Sequence, residues 1–415
     1  MRYEKLQKTF HIDETRHKRL YEARVSDPDA IHINVQIAGN PAFMVMDADV
    51  YRPLLRLAQA DKRIRECTDM LPGKAIEQFT QKCLIDEVLI TNEIEGVSSS
   101  RKEIGEVLDN IIDDSSDNKK KTRLFGLVNK YYMLGIDRKP IESPRDVRNL
   151  YDELVLDEVK AENPSNAPDG ELFRKDGVTV YDKAGRPIHH GTLTEDAITS
   201  EIETALEFLN NPNVDPVVRV AVFHFLFGYI HPFYDGNGRT NRFISSEYLS
   251  MHLESVIGYG LSYTIKENID RYYASFKETE HPKNMGDLTP FVISFCEIVA
   301  DTAERIGNEL AEKERLFKRY EKIAEYLAFT AGFKGAGKTD FVSILVQAAL
   351  FSESGVSRKE LAGYLGITRQ TASKWLRTLN DAFPIKSTKV GKSVMLKADL
   401  KFLEGLLQEM DVKGL

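Results

Sequence analysis

The sequence predicts a mainly α-helical protein. A central helical bundle carries a small β-hairpin, an N-terminal extension with short strands precedes it, and a winged helix-turn-helix domain follows. Three observations carry the prediction. Val217 to Ile230 is apolar on nearly every side, as expected of a helix buried in the middle of a domain. From Ala75 to Glu95 the apolar residues Ile76, Phe79, Cys83, Leu84, Val88, Leu89 and Ile94 recur at roughly helical spacing. Toward the C-terminal end, two short helical patterns flank Gly366-Ile-Thr368 and lead into a strand pattern, the order of a helix-turn-helix with a wing.

Composition bounds the function classes. The 415 residues suffice for two or three domains, and 42% hydrophobic with 29% charged residues is the balance of a soluble globular chain. The longest apolar run, Ala221 to Ile230, is interrupted by His224 and falls short of a membrane span. The first residues lack the apolar core of a signal peptide, so a cytoplasmic location and no membrane partner are expected. Cys67, Cys83 and Cys296 form neither a close pair nor a metal spacing and are read as reduced, buried thiols. The net charge of −8 argues against nucleic-acid binding by the whole chain. From Ala331 onward, however, thirteen Lys/Arg stand against eight Asp/Glu, so the tail has a basic surplus that the body lacks.

Residues 1–70 hold short alternating pieces, Ile31 to Ile37 and Phe43 to Met46, which read as strands or an extended arm; no site is assigned there. Residues 71–300 form the central domain. Its helix at 75–96 is stopped by Gly96, and Ser100-Arg-Lys-Glu103 is a capping box for the next. Asp113 to Lys121 reads as a polar turn with solvated charges. Helices are expected at about Lys121–Leu134 and, after Ser143-Pro144, at about Arg145–Val155. Within Phe173 to Gly191, Val178, Val180 and Ile188 flank a turn at Lys183 to Arg186, the signal of a β-hairpin. His189 and His190 have no cysteine or carboxylate spacing that would complete a metal site and read as surface histidines. Asp215-Pro216 opens the apolar helix with an N-cap residue and an N1 proline. A further helix runs from about Arg239 to Leu253, and an apolar helix from Val292 to Val299.

Residues 301–340 read as a long charged helix, Glu304 to about Phe329, and a linker. Gly332 to Thr339 satisfies the P-loop pattern, but the segment before it is helical rather than a buried strand, so a flexible linker is the reading. Residues 341–415 form the winged-helix-like domain. One helix starts at Ser357 with a capping-box Glu360, a second runs from Arg369 to Asn380, and Lys386 to Leu396, with a turn at Gly391-Lys392, makes the wing. Arg369, Gln370, Ser373, Lys374 and Arg377 are placed to face a DNA groove and its phosphates, while Trp375, Leu376 and Leu379 pack inside. Such modules also dock proteins or dimerise, so DNA, protein docking and a homo-oligomer all stay open.

The chemistry concentrates in His231-Pro-Phe-Tyr-Asp-Gly-Asn-Gly-Arg-Thr-Asn-Arg242. Pro232 disfavours helical geometry at His231, which therefore falls where the apolar helix gives way to a loop. Asp235-Gly236-Asn237-Gly238 lets successive N–H groups turn toward one anion, and a helix beginning near Arg239 adds its N-terminal field. Arg239 and Arg242, three apart, share a helical face, and guanidinium forks suit phosphate oxygens. Asp235 is a hard oxygen ligand of the kind that holds magnesium beside substrate phosphates. His231 is the one group of the segment that titrates near neutral pH. A base beside a magnesium-polyphosphate cradle points to transfer of a phosphate-containing group to a hydroxyl.

This segment resembles the signature of the Fic family, His-Pro-Phe-x-Asp/Glu-Gly-Asn-Gly-Arg-x-x-Arg, at every fixed position. The resemblance covers about Ala75 to Ala300 and implies a Fic-type bundle that transfers AMP from ATP to a Tyr, Ser or Thr hydroxyl of a target protein. It makes His231 the general base and Asp235 the Mg2+ ligand. Gly236, Asn237 and Gly238 become the phosphate nest, with Thr240 and Asn241 inside the ATP-binding segment, and Arg239 and Arg242 hold the β- and γ-phosphates. Thr91-Asn-Glu-Ile-Glu95-Gly96 resembles the family's inhibitory motif, whose glutamate pairs with the second arginine; a carboxylate imitates a phosphate oxygen for a guanidinium fork. The hairpin at 173–191 corresponds to the flap that takes the target's backbone by strand addition, which assigns Val178, Thr179 and Val180 to target docking. Asn284 is the expected adenine-side contact. UMP, phosphocholine or phosphoryl transfer, removal of AMP, and a DNA-binding regulator with a silent Fic domain are the alternatives the sequence leaves open.

Overall fold

The computed structural model describes residues 3–112, 123–136, 139–181, 185–335, 337–379, 383–390 and 393–413. The chain divides into two units, Met1–Lys62 with Leu84–Ile306, and Arg63–Cys83 with Gly307–Leu415.

The first unit opens with helices α1 (Leu6–Ile12) and α2 (Glu14–Val25), and the Asp13 side chain caps α2 by accepting the N–H groups of Thr15 and Arg16. Strands β1 (Ala30–Ile37) and β2 (Asn40–Val45) follow as an antiparallel pair. Ala38 and Gly39 turn the hairpin at φ 48° and 78°, the two positive values that a tight strand-to-strand turn needs. The strands match the sequence expectation for this region. The two helices do not: α2 buries only His17, so its sequence has no apolar stripe to read.

Helices α3 (Ala48–Met70) and α4 (Gly73–Ile94) come next, then α5 (Arg101–Ile112) and α6 (Phe125–Tyr132). The expected polar turn, Asp113 to Lys121, lies outside the described residues. Ser143 opens α7 (Pro144–Tyr151) through a capping box with Asp146. The helix expected to reach Val155 instead passes at Asp152–Leu156 into a π-turn before α8 (Asp157–Glu162). Strands β3 (Thr179–Tyr181) and β4 (Pro187–His190) pair antiparallel. Val178 lies just before β3, where its carbonyl accepts the Gly191 N–H at 3.1 Å. Lys183 and Ala184 of the expected turn are outside the described residues.

The core is built by α9 (Glu195–Leu209), α10 (Pro216–Ile230) and α11 (Asn237–His252). Phe223, Phe225 and Phe227 of α10 are fully buried, each contributing about 1.5–3 kcal/mol by leaving water. His224 is buried among them without charge. Its ring bonds Ser245 at 2.8 Å and Tyr272 at 2.7 Å, and desolvation pushes its pKa down to about 3. Helices α12 (Leu261–Glu267) and α13 (Ile269–Thr279) lead to α14 (Thr289–Thr330), a single 42-residue helix where the sequence suggested two. Within it the Thr302 hydroxyl bonds back to the Ile298 carbonyl at 2.8 Å.

In the second unit, α15 (Lys338–Phe351) is followed by β5 (Val356–Ser357), α16 (Arg358–Tyr364), α17 (Arg369–Leu379), β6 (Ile385–Val390), β7 (Ser393–Ala398) and α18 (Leu400–Lys413). The three strands form an antiparallel sheet in the order β5-β7-β6. Ser357 and Glu360 form the capping box that the sequence indicates. Asn380 and the Gly391-Lys392 turn lie outside the described residues. The P-loop pattern is preceded by α14, with no strand before it; its Ala336 is outside the described residues. Among the described residues no helix is long and apolar enough to cross a membrane.

Candidate active site

The site forms where α10 ends and α11 begins. His231 terminates α10 in a left-handed conformation, φ 54° and ψ 63°, which costs a non-glycine residue about 1–2 kcal/mol. Arg174 holds it there. Its guanidinium is fully buried and donates to the carbonyls of His231 at 2.8 Å, Ile230 at 3.3 Å and Asp176 at 2.6 Å. Gly191 packs against this knot so closely that a Cβ would stand 2.6 Å from Arg174 Nη2 and 3.0 Å from His231 Cβ. The hairpin is fixed to the same place: Thr192 N–H donates to the Ile230 carbonyl at 3.0 Å. His189 lies 2.6 Å from the Tyr229 carbonyl through Nε2 and 2.7 Å from Glu280 through Nδ1. His189 is thus a half-buried strut rather than the surface histidine the sequence suggested.

The His231 imidazole is half-buried, with Nδ1 3.4 Å from the Gly228 carbonyl. Desolvation, then His189 and Arg174, push its pKa down to about 4, against the opposing pull of the Gly228 bond and Glu95. The ring is therefore neutral over the whole physiological range.

The loop after it is held by Asn237, whose side chain accepts the Phe233 N–H at 3.0 Å and donates to the Phe233 carbonyl at 2.8 Å. Gly236 sits at φ 79°, where a Cβ would also meet Val155 at 2.8 Å and Tyr151 at 3.1 Å. Helix α11 starts at Asn237, two residues earlier than the sequence suggested, so the N–H groups of its first turn face the loop without intrahelical acceptors. The Asp235 side chain is one-third exposed, accepts the Gly236 N–H and lies 3.8 Å from Arg239. Thr240 and Asn241 point inward: the threonine hydroxyl bonds the Gly236 carbonyl at 2.9 Å, and the asparagine amide bonds the His224 carbonyl at 2.8 Å. The Asn241 Oδ1 is buried without a hydrogen-bond partner.

The two arginines meet different partners. Arg239 is buried and ion-paired with Glu158 of α8 at 2.7 Å. Its Nε, Glu158 Oε1 and the Tyr151 hydroxyl are buried without a protein hydrogen-bond partner. Such a cluster beside Asp235 suits a polar ligand. Arg242 is fully engaged on its inner side by α4. Nε donates to the Thr91 hydroxyl at 2.8 Å, and Nη2 donates to the Thr91 carbonyl at 3.0 Å and to Glu95 Oε1 at 2.8 Å. The Glu95 carboxylate also lies over the first turn of α11, where a Cβ on Gly238 would be 2.1 Å from Oε1. Glu87 and Thr91 are four residues apart, hence on one face of α4, and Glu95 follows in the turn that ends it. Glu87 is fully buried, accepts the N–H and hydroxyl of Ser262, and is pushed up to about 7 by desolvation.

Asn284 keeps its Oδ1 buried without a hydrogen-bond partner. It is fully buried, and its amide donates to the carbonyls of Thr279 at 3.1 Å and Asp287 at 2.6 Å, closing the turn before α14. With both donors committed it has no amide hydrogen to offer a nucleotide. Tyr273 is half-exposed and within electrostatic reach of Glu95 and Arg242, which places it at the site. Arg174, Glu158 and Tyr151 were invisible in the sequence, because their partners lie far along the chain.

Among the described residues no cluster of three His, Cys, Asp or Glu side chains could hold a metal ion. The single carboxylate of Asp235 fits magnesium only as an ion shared with substrate phosphates.

Residues 141–249 match the Fic/DOC family. The chain is similar to protein adenylyltransferase fic-1 of Caenorhabditis elegans, at 28% identity over 34% of this chain and 26% of that protein. It is similar also to protein adenylyltransferase Fic of Drosophila sechellia, at 30% identity over 33% of this chain and 24% of that protein. The match thus spans about a quarter of the length of these relatives. A crystal structure of a Fic family protein from Desulfovibrio desulfuricans G20 aligns over 86% of this chain and 97% of that one, with 17% identity and a TM-score of 0.49. Every fixed position of the His231–Arg242 signature falls within residues 141–249, the stretch that matches the Fic/DOC family model.

Proposed function

We propose that this site transfers AMP from magnesium-bound ATP to a Tyr, Ser or Thr hydroxyl of a target protein, and that Glu95 holds it shut. The observation that carries the reading is the 2.8 Å contact between Glu95 and Arg242, with the same carboxylate lying at the N-terminus of α11. A carboxylate there stands where an oxygen of a terminal phosphate would be bound by the same guanidinium and helix end. The names of the relatives from Caenorhabditis elegans and Drosophila sechellia support AMP transfer over the other nucleotide chemistries.

In this reading a carbonyl at Gly228 keeps the proton on His231 Nδ1, leaving the Nε2 lone pair for the target hydroxyl. Nε2 takes the hydroxyl proton as the oxygen attacks the α-phosphorus, the α–β phosphoanhydride bond breaks, and pyrophosphate leaves. The backbone of Gly236, Asn237 and Gly238 receives the phosphates, with Arg239, oriented by Glu158, and Arg242 neutralising the charge that develops. Asp235 would hold magnesium, which would supply further neutralisation of the phosphate oxygens. Val178, Thr179 and Val180 present a strand edge to the target backbone.

The test separates the label positions of ATP. The Glu95→Gly protein, incubated with a cell lysate, should leave α-phosphate label on protein and no γ-phosphate label. Protein-bound γ-label would assign phosphorylation instead.

A further inference from the structure

We propose that the outer face of α17, with the adjoining strand β6, binds double-stranded DNA. This is independent of the reaction at His231. The inner face of α17 is taken up by packing: Ala372, Leu376 and Leu379 are buried, and Trp375 sits edge-on to Phe333 and Phe341 at 5.7 and 5.4 Å. That fixes the rotation of the helix and leaves Arg369, Gln370, Lys374 and Arg377 exposed on the other side. Among the described residues no carboxylate pairs with Arg369, Lys374 or Arg377. Between 361 and 398 the chain has seven Lys/Arg and one acidic residue, Asp381. On β6, Lys386 and Lys389 extend the same charge, the former also contacting Asp399 at 2.7 Å.

Geometry favours a duplex over other polyanions. The α15-β5-α16-α17-β6-β7 order sets α17 after a tight turn at Gly366, φ 61°, where a Cβ would meet nothing within 4 Å. The 11 residues of α17 span roughly 16 Å, and a B-DNA major groove about 12 Å wide admits one helix. Gln370 pairs with an adenine edge and Lys374 or Arg377 with guanine or phosphate, the side-chain types that direct readout uses. Single-stranded nucleic acid is bound largely by stacking on aromatic rings, and the outer face of α17 has none. A protein partner would need a buried aromatic or apolar anchor, equally missing from that face.

The experiment uses the full chain and a fluorescent mixed-sequence duplex of about three helical turns, read by anisotropy across a salt series. Binding should weaken steeply with salt, by about 0.9 in the log–log slope for each phosphate neutralised. The triple variant Arg369→Ala/Lys374→Ala/Arg377→Ala should lose at least tenfold in affinity and flatten the slope by about two to three. A control, Arg315→Ala/Lys318→Ala on α14, should bind as wild type. The single Lys374→Glu, on an exposed position, should weaken binding even if the triple variant folds poorly. Three results would overturn the proposal: no duplex binding at low salt, equal binding by the triple variant and wild type, or displacement of the duplex by an equal concentration of single-stranded RNA.

Discussion

Replacing His231 by Ala in the Glu95→Gly background should lower the rate of AMP transfer by about 10²–10⁴, the contribution typical of a positioned general base. The loss should fall on kcat, since the imidazole takes the hydroxyl proton during the chemical step, while binding of ATP rests on the loop and the arginines. The pH profile carries the same claim with a definite sign. The base works when neutral, and its pKa in the fold is about 4, below the ordinary value near 6.5. Glu95 is among the groups that raise this value, so activity of Glu95→Gly should stay level from neutral pH down to about 5 and fall only as pH reaches about 4 or below. A half-loss near 6.5 would mean that the ring is not desolvated in the working enzyme. Radiolabel incorporation at initial rate, across buffers of constant ionic strength, measures both.

Asp235→Ala should lower the same rate by about 10² or more, because no second carboxylate among the described residues completes a metal cluster and a metal ion offers several kcal/mol of charge stabilisation. The fold should hardly notice. Asp235 is one-third exposed and its hydrogen bond is to the neighbouring Gly236 N–H, so thermal melting should shift by no more than a surface substitution does, within about 0.5 kcal/mol. A variant that keeps its melting temperature and its activity at ordinary magnesium concentrations would remove Asp235 from the metal role.

What the sequence disclosed follows from the range of the forces involved. The end of α10 and the loop after it were legible because proline and glycine fix backbone geometry within a few residues. The Ser357–Glu360 cap was readable for the same reason, since both partners lie within one turn. Glu95 was found through a short motif, and the structure places its carboxylate on Arg242, 147 positions away. Arg174 offered no such handle. It is a lone arginine in sequence, and only the fold brings the carbonyls of Ile230 and His231 to it. Asn284 shows a further limit: the two buried carbonyls that take its amide are set by the fold, and its Oδ1 is left buried without a hydrogen-bond partner, neither of which its sequence discloses. The predicted break in α14 also had no physical basis, because no proline or glycine interrupts residues 292 to 306.

The central claim is that a ready active site is held closed by one carboxylate. It is tested most directly by comparing initial rates of α-label transfer for wild type and Glu95→Gly at saturating magnesium-ATP. Removing the contact frees a guanidinium that was engaged in a charge-assisted bond of about 1.5–3 kcal/mol, so the variant should be about 10- to 100-fold faster. Equal rates for the two proteins would contradict the account.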